Sequence, residues 1–336
     1  MIDTVPAPAL TVAVPTYNRA VVLAEMLSSI RAALERTPEP VDVLVVDNNS
    51  SDSTHGVIEQ YAGTIPQLRY SRQSVNVGGE ANFFSCIEQA RGTHVWVVGD
   101  DDVIEPDSIA KILDQLRRGA DAVVLNYSVW SSDLKTCVNP RFFFQPADRV
   151  FESADDVLER FSGALGFTAA VVVNRARIVH EGRERFLRRA DVGLSFLDSA
   201  YRNMASARVA YLASPQIRAR GDNSRDLSGE PVGWSPENWN RVFVSGFQLV
   251  LSGLAEYGYG GRSIRRARNL VIRQYVPARL RLLRRAGAPY GATVSCVLKC
   301  AYDRPAVWTR VMPMLLIPRF VLRLTPSLRR FLMRTS

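Results

Sequence analysis

Val41-Asp42-Val43-Leu44-Val45-Val46 runs directly into Asp47-Asn48-Asn49-Ser50-Ser51-Asp52. A short, nearly all-apolar, β-branched run that ends in turn-forming residues is the pattern of a strand covered on both faces. Strands of that kind belong to sheets flanked by helices. The surrounding sequence agrees. Upstream, residues 10–14 are apolar and β-prone and stop at Pro15, and 20–36 carry apolar residues at helical spacing. Downstream, Ser53 can cap a helix through about Tyr61. Residues 68–71 read as a short strand, and 80–91 as a helix closed by Gly92. Then come a strand at 94–98, a helix at 107–118 stopped by Gly119, and a strand at 122–127. This alternation predicts an α/β fold with a mostly parallel, doubly wound sheet.

The rhythm changes after Tyr127. Residues 131–150 read as irregular or antiparallel, 155–161 as a short helix, and 169–173 as one more buried strand. A helix at 192–204 and a last strand at 209–212 follow. Residues 221–236 are rich in Gly, Ser, Pro, Asp and Asn, and loops of that length are often functional lids. From Glu237 on the pattern is helical. The reading therefore divides the chain into domains 1–220 and 221–336.

Composition excludes several classes. Of 336 residues, 47% are hydrophobic and 22% charged, a globular balance rather than a disordered or low-complexity one. The cysteines at 86, 137, 296 and 300 form no CxxC, which argues against a disulfide scaffold and a zinc ribbon. No basic segment precedes an apolar run at the start, and no 18 consecutive apolar residues occur, so neither a signal peptide nor a spanning helix is expected. The net charge of +9 hides an asymmetry. Residues 258–336 hold 17 Arg and Lys and a single acid, Asp303, which leaves the front of the chain acidic. Such a tail should seek an anionic partner.

Ligands of open α/β sheets bind beyond the carboxyl ends of the strands. Those ends carry Pro15-Thr16-Tyr17-Asn18-Arg19, then 47–52, then Gly99-Asp100-Asp101-Asp102. Three adjacent carboxylates repel one another, so at least one pKa should rise unless a counter-charge is present. A hard divalent cation with oxygen ligands removes the conflict. The plain alternative is a solvated turn that caps the next helix; the position at the end of an apolar strand, on the same edge as Asp47, argues against it. Dinucleotide, P-loop and nucleophile-elbow glycine patterns are all absent. His55, His94 and His180 match no zinc spacing and read as structural.

Four segments together carry a resemblance: 14–19 (VPTYNR), 45–52 (VVDNNSSD), 76–83 (NVGGEANF) and 96–102 (WVVGDDD) with Pro106. In this order and spacing the chain resembles a family 2 glycosyltransferase of the GT-A fold, and WVVGDDD is most similar to the abequosyltransferase-like branch that builds bacterial surface polysaccharides. The resemblance is strong over 10–125, weaker to about 220, and absent beyond. It implies that Pro15, Thr16, Tyr17 and Arg19 line a nucleotide pocket, that Asp47 accepts a hydrogen bond from the base, and that Asn76 and Gly78 lie near the nucleotide. It further implies that Asp101 is the metal ligand (Mg or Mn), with Asp100 near the ribose or metal and Asp102 beside it. Two positions depart from the family pattern: Gly99 stands where an Asp is usual, and Ala81 where relatives often carry Arg.

The implied reaction is inverting transfer from a nucleotide-sugar donor to a saccharide or lipid-linked saccharide acceptor. The general base would then be Asp191, just before a helix, with Asp198 two turns later as the runner-up. The plain reading of Asp191 is an acid favoured at a helix N-terminus. Apolar residues from Trp308 to Leu332, broken by Pro313, Pro318 and Pro326 and interleaved with arginines, suit an anionic membrane surface. The alternative is a packed helical domain. Cys296 and Cys300 share a helical face and read as buried thiols. No motif of nucleic-acid recognition accompanies the charge. The expected location is cytoplasmic, peripheral at the inner face of the membrane. A sugar-1-phosphate nucleotidyltransferase, which would want a glycine-rich phosphate loop, and a non-catalytic nucleotide-sugar-binding protein are the competing readings.

Overall fold

The computed structural model describes residues 7–221, 236–286 and 289–318. The described chain forms two compact units. The first comprises Met1–Val157, Ala164–Asp191 and Ser195–Gly233; the second comprises Leu158–Gly163, Val192–Leu194 and Trp234–Ser336.

The first unit is built on a ten-stranded sheet. Its strands are β1 (Leu10–Thr16), β2 (Asp42–Asp47), β3 (Leu68–Arg72), β4 (His94–Val97), β5 (Val103–Ile104), β6 (Ala122–Trp130), β7 (Cys137–Asn139), β8 (Arg149–Phe151), β9 (Val171–Asn174) and β10 (Val209–Arg220). The main path runs β3-β2-β1-β4-β9-β6-β10-β5. β3, β2, β1 and β4 pair in parallel. β9 runs antiparallel between β4 and β6, so β6 and its parallel neighbour β10 point the same way as β1. The sheet is thus mostly parallel in direction, with β9 and the short β5, β7 and β8 reversed. β2 is buried at every residue, as its apolar run requires.

The helices α1 (Ala20–Leu34), α2 (Thr54–Ala62), α3 (Gly79–Gln89) and α4 (Ser108–Arg117) alternate with these strands. They are followed by α5 (Ala154–Phe161), α6 (Arg175–Leu187) and α7 (Ser195–Met204). The α1 face made of Val22, Leu23, Met26, Leu27 and Ile30 is buried, which is the 3.6-residue apolar stripe seen in the sequence. At the amino ends of the strands, Asp42 gathers β1, β3 and the end of α3. It accepts from Thr11 Oγ1 (2.8 Å), from Arg69 Nε and Nη2 (2.7 Å each) and from the Arg91 N–H (3.1 Å). Burial opposes its charge, but these donors hold the carboxyl below its ordinary value.

Three local features differ from the sequence reading. β10 does not stop at Leu212. It continues to Arg220 through two register shifts that flank Pro215, the position where a sheet tolerates proline. α6 is an element that the apolar pattern did not reveal, and it is broken at Gly182, whose φ is +83°. The helix expected from residue 192 begins at Ser195; Gly193, at φ +66°, separates it from a single 3₁₀ turn at Ala190–Val192.

The second unit is helical among its described residues. α8 (Pro236–Asn240) passes through a π-helical stretch, Arg241–Gly246, into α9 (Phe247–Gly253). α10 (Gly261–Ala286) and α11 (Gly291–Ala301) follow, and a second π-helical stretch, Val307–Val311, leads into α12 (Met312–Leu316). Val244, Ile272, Val276, Leu280, Val297, Val307 and Val311 are fully buried together. The apolar residues between 306 and 315 therefore belong largely to a core, although Trp308 remains 57% exposed. Cys296 and Cys300 are half-buried on α11 rather than fully enclosed. Most of the loop at 221–236, and Phe320, Leu324, Leu328, Phe331 and Leu332, lie outside the described residues.

Candidate active site

Parallel pairing brings the ends of β1, β2 and β4 to one edge. Thr16 pairs with Asp47, and Ala13 with Val97. The chain leaves β4 through Val98 and Gly99 into the acidic triplet. Thr16 Oγ1 donates to Asp100 Oδ2 at 2.8 Å. Arg19 Nη1 lies 3.1 Å from both Asp100 Oδ1 and Asp101 Oδ2. Arg19 thus bridges the first two carboxylates. Burial works against its charge, yet Asp100 and Asp101 raise its pKa above the ordinary value.

Arg19 by itself does not balance three carboxylates. Burial, opposed by Arg19 and reinforced by Asp101, pushes the Asp100 carboxyl up to about 6. Burial first, and then the Asp101 charge, hold Asp102 well above its ordinary value. The Arg220 backbone N–H donates to Asp102 Oδ1 (3.1 Å), and Arg220 Nε to the Asp101 carbonyl (2.8 Å). The same guanidinium reaches the Ser132 carbonyl and, at 2.5 Å, Glu25 Oε2. Arg220 is the principal clamp on the acidic turn, and the sequence reading missed it because the strand was ended too early. Gly99 also has a physical reason. A Cβ there would lie 3.0 Å from Asp101 Oδ1 and 3.3 Å from Asp102 Oδ2. The space a longer residue would need is filled by the carboxylates.

The donor chemistry at the turn, hard oxygens with surplus negative charge, suits a divalent cation. Its detailed fit is less complete. Among the described residues no three His, Cys, Asp or Glu side chains are placed to hold a metal ion together. Arg19 occupies the space between Asp100 and Asp101 that a shared cation would use.

Asp47 is placed at the edge but turned inward. It is fully buried, and both of its oxygens are engaged. Oδ1 accepts from the Ser50 N–H (2.8 Å) and hydroxyl (2.6 Å), and Oδ2 accepts from the Tyr70 hydroxyl (2.8 Å). Burial and then this bond push the Tyr70 hydroxyl up to about 12. Asp47 fixes the 47–52 turn, a different task from the expected hydrogen bond to a base. The next residue, Asn48, is the one that reaches across. Its Nδ2 donates to Asn76 Oδ1 (2.8 Å), and its Oδ1 accepts from the Val77 N–H (2.9 Å). Asn76 in turn accepts from the Gly78 N–H at 2.9 Å. Gly78 sits at φ +84° with open space where a Cβ would project. Pro15 lies within β1, Tyr17 is 44% exposed beyond its end, and Ala81 is buried on α3.

The two acids proposed as base are separated by the structure. Asp198 is completely buried. It accepts from Arg188 Nε (2.9 Å) and Nη2 (3.1 Å) and from Arg202 Nε (3.1 Å), and Arg202 also pairs with Glu181. Sealed in that network, it has no oxygen open to an acceptor hydroxyl. Asp191 is exposed in its 3₁₀ turn. Glu80, unnoticed in the sequence, accepts from the Ser195 N–H at 3.2 Å and so anchors the start of α7. Burial raises its pKa above the ordinary value.

The model of Glycosyl transferase family 2 matches residues 11–192. Over 229 residues the chain is 25% identical to abequosyltransferase RfbV of Salmonella typhimurium, covering 62% of this chain and 66% of that protein. It is 28% identical over 113 residues to the GalNAc(5)-diNAcBac-PP-undecaprenol beta-1,3-glucosyltransferase of Campylobacter jejuni, covering 33% of this chain and 36% of that one. The matched part thus spans just under two thirds of the first relative and about a third of the second.

Among solved structures, residues 1–349 of S. aureus TarS in complex with UDP-GlcNAc superpose with a TM-score of 0.57 at 19% identity, covering 79% of this chain and 71% of that one. The mannosyltransferase PcManGT of Pyrobaculum calidifontis, in complex with GDP-Man and Mn2+, gives 0.50 at 18% identity, covering 93% and 81%. The sheet order and the match over more than half the chain agree: this protein belongs to glycosyl transferase family 2 and has the GT-A fold.

Proposed function

We propose that the chain transfers a sugar, with inversion, from a nucleoside-diphosphate sugar to a hydroxyl of a lipid-linked saccharide in cell-envelope polysaccharide synthesis. The observation that carries the donor half is the acidic turn with Arg19 across it. Transfer breaks the bond between the sugar C1 and a phosphate oxygen, and charge grows on the departing diphosphate. A divalent cation at Asp101, with Asp100 and Asp102 beside it, would supply counter-charge to that group. Arg19 would swing between the carboxylates and the diphosphate. Thr16, Tyr17, Asn76 and Gly78 would border the nucleoside, and Asp47 would hold the turn that presents Asn48. Asp191 would take the proton of the acceptor hydroxyl as its oxygen bonds to C1 on the face opposite the leaving diphosphate, and that in-line displacement inverts the anomeric centre. The lipid-linked acceptor is supported by the name of the Campylobacter relative.

A thermal-shift panel of nucleoside diphosphates and nucleotide sugars, with and without Mn²⁺, tests this reading, since only ligands of the native state raise the midpoint. A panel in which none of them shifts the midpoint would overturn it. Asp191→Asn should lower turnover by roughly 10²- to 10⁴-fold, the usual share of a general base, while the donor's KM changes little. Unchanged turnover would remove Asp191 from the chemistry without touching the enzyme class.

No helix among the described residues is long and apolar enough to cross a membrane. With 17 basic residues against one acid after residue 257, we place the protein at an anionic membrane surface. Each nearby Arg contributes roughly 1 kcal/mol, and salt screens it. The full chain should float with anionic vesicles at low salt and detach at high salt. Indifference to anionic lipid at low salt would make the tail a packing domain alone.

A further inference from the structure

The second unit holds a cavity of about 360 Å³, lined by Arg268, Gln248, Ser245, Ser252, Cys300 and Val192 among others. Arg268 is the charged side chain of that lining. Its posture is fixed by neutral partners. Nε donates to Gln248 Oε1 at 2.8 Å and Nη2 to the Cys300 carbonyl at 3.3 Å, while Gln248 Nε2 donates back to the Arg268 carbonyl at 3.1 Å. Among the described residues no carboxylate forms an ion pair with it. Burial lowers its pKa below the ordinary value, with only Cys300 acting in the other direction.

Arg304 is lowered first by burial and then by the charges of Arg268 and Arg265. Asp303, the single acid of the tail, is already bonded to Arg304 Nε at 2.9 Å. Arg304 is thus neutralised by Asp303, whereas half-buried Arg268 has only neutral partners in the lining, and an anion would complete it. The wall opposite is also unusual. Ser245 and Gly246 lie in the π-helical stretch, a distortion that recurs at functional sites. A Cβ at Gly246 would come within 2.7 Å of the Arg241 carbonyl and 3.1 Å of Val192 and Leu194, so the glycine lets the 192–194 segment pack closely there.

We propose that this cavity is an anion site for a phosphate or diphosphate ester, with Arg268 as its principal contact. The guanidinium fork matches phosphate oxygens. A phosphate-bearing acceptor is one ligand of that chemistry. That identity rests on the transferase reading above, whereas the binding of the anion does not. A lipid phosphomonoester and a soluble diphosphate offer the same chemistry.

Inorganic pyrophosphate titrated calorimetrically into the full chain in EDTA tests the site. Saturable binding is expected, weakened about tenfold or more by Arg268→Gln and by Ser252→Asp, and retained in Arg19→Gln. Ser252 is exposed, and its hydroxyl donates only to the Leu249 carbonyl, so Ser252→Asp adds a repelling charge at the rim and leaves the bonds of Arg268 in place. Absence of saturable binding to the unaltered chain, or an affinity that Ser252→Asp leaves intact, overturns the proposal. Flotation with phosphatidylcholine vesicles, with and without phosphatidate, identifies the source. Weaker capture of Ser252→Asp by phosphatidate assigns the anion to a lipid headgroup; equal capture with lost pyrophosphate binding assigns it to a soluble diphosphate. A protein that binds no nucleotide sugar but shows these differences would refute the transferase substrate reading and keep the anion site.

Discussion

Asp101→Asn should lower sugar transfer by about a thousandfold or more while the protein still unfolds cooperatively. The three acids of the turn are not equivalent. Asp100 is tied to Thr16 and Arg19 and its side chain is 7% exposed, whereas that of Asp101 is 18% exposed. Asp102 is buried and bonded to the Arg220 N–H. Replacing either buried acid would change the fold and the chemistry together. Asparagine at 101 keeps the volume and an oxygen for Arg19 but removes the charge. Initial rates over a range of donor concentrations, set beside a melting curve, separate the two effects. Turnover above a tenth of the unaltered enzyme in an undamaged fold would show that this carboxylate does not serve the leaving group.

The second large effect is on stability. Asp198→Ala should cost about 3–5 kcal/mol, because it removes a fully buried carboxylate that bonds two guanidiniums. Arg202 retains Glu181, but Arg188 loses both of its bonds to Asp198. Urea unfolding of the variant should show a lower midpoint at a similar slope. Asp198→Asn, which keeps the shape, should cost less. If Asp198→Ala instead unfolds like the unaltered protein and loses turnover, Asp198 is the base and Asp191 is not.

The strands that carry the site were legible because their burial on both faces leaves near-continuous apolar runs, as in β2. Their ends were legible too, since Asp47 and Asp100–Asp102 interrupt those runs. Orientation was not. The first polar residue after a buried strand can face the groove or the turn, and Ser50 and Tyr70 decide for Asp47 through bonds that no spacing announces. The relation of Asp191 to Asp198 failed for a backbone reason. Seven residues make two helical turns only if the helix is continuous, and Gly193 at φ +66° breaks it. The partner that buries Asp198, Arg188, follows α6, which is too polar to show a stripe. The strand expected at 209–212 stops short of Pro215 because the bulge there hides the rest of β10.

That continuation of β10 has a consequence for how the enzyme comes into being. Arg220 and Glu25 are 195 residues apart in the chain, and Arg220 and Asp101 are 119 apart. Contacts of such separation close large loops, and their entropy must be met before they return anything. The parallel half of the sheet, β1 to β4, needs only the first 97 residues and can pair while the rest is still being synthesised. The acidic turn cannot be clamped until the last strand of the first unit has left the ribosome and docked. A nascent chain ending before residue 220 would hold the paired strands β1 to β4 and an unclamped acidic turn. Completion of the acidic turn is therefore a late event of folding, and it marks the docking of β10.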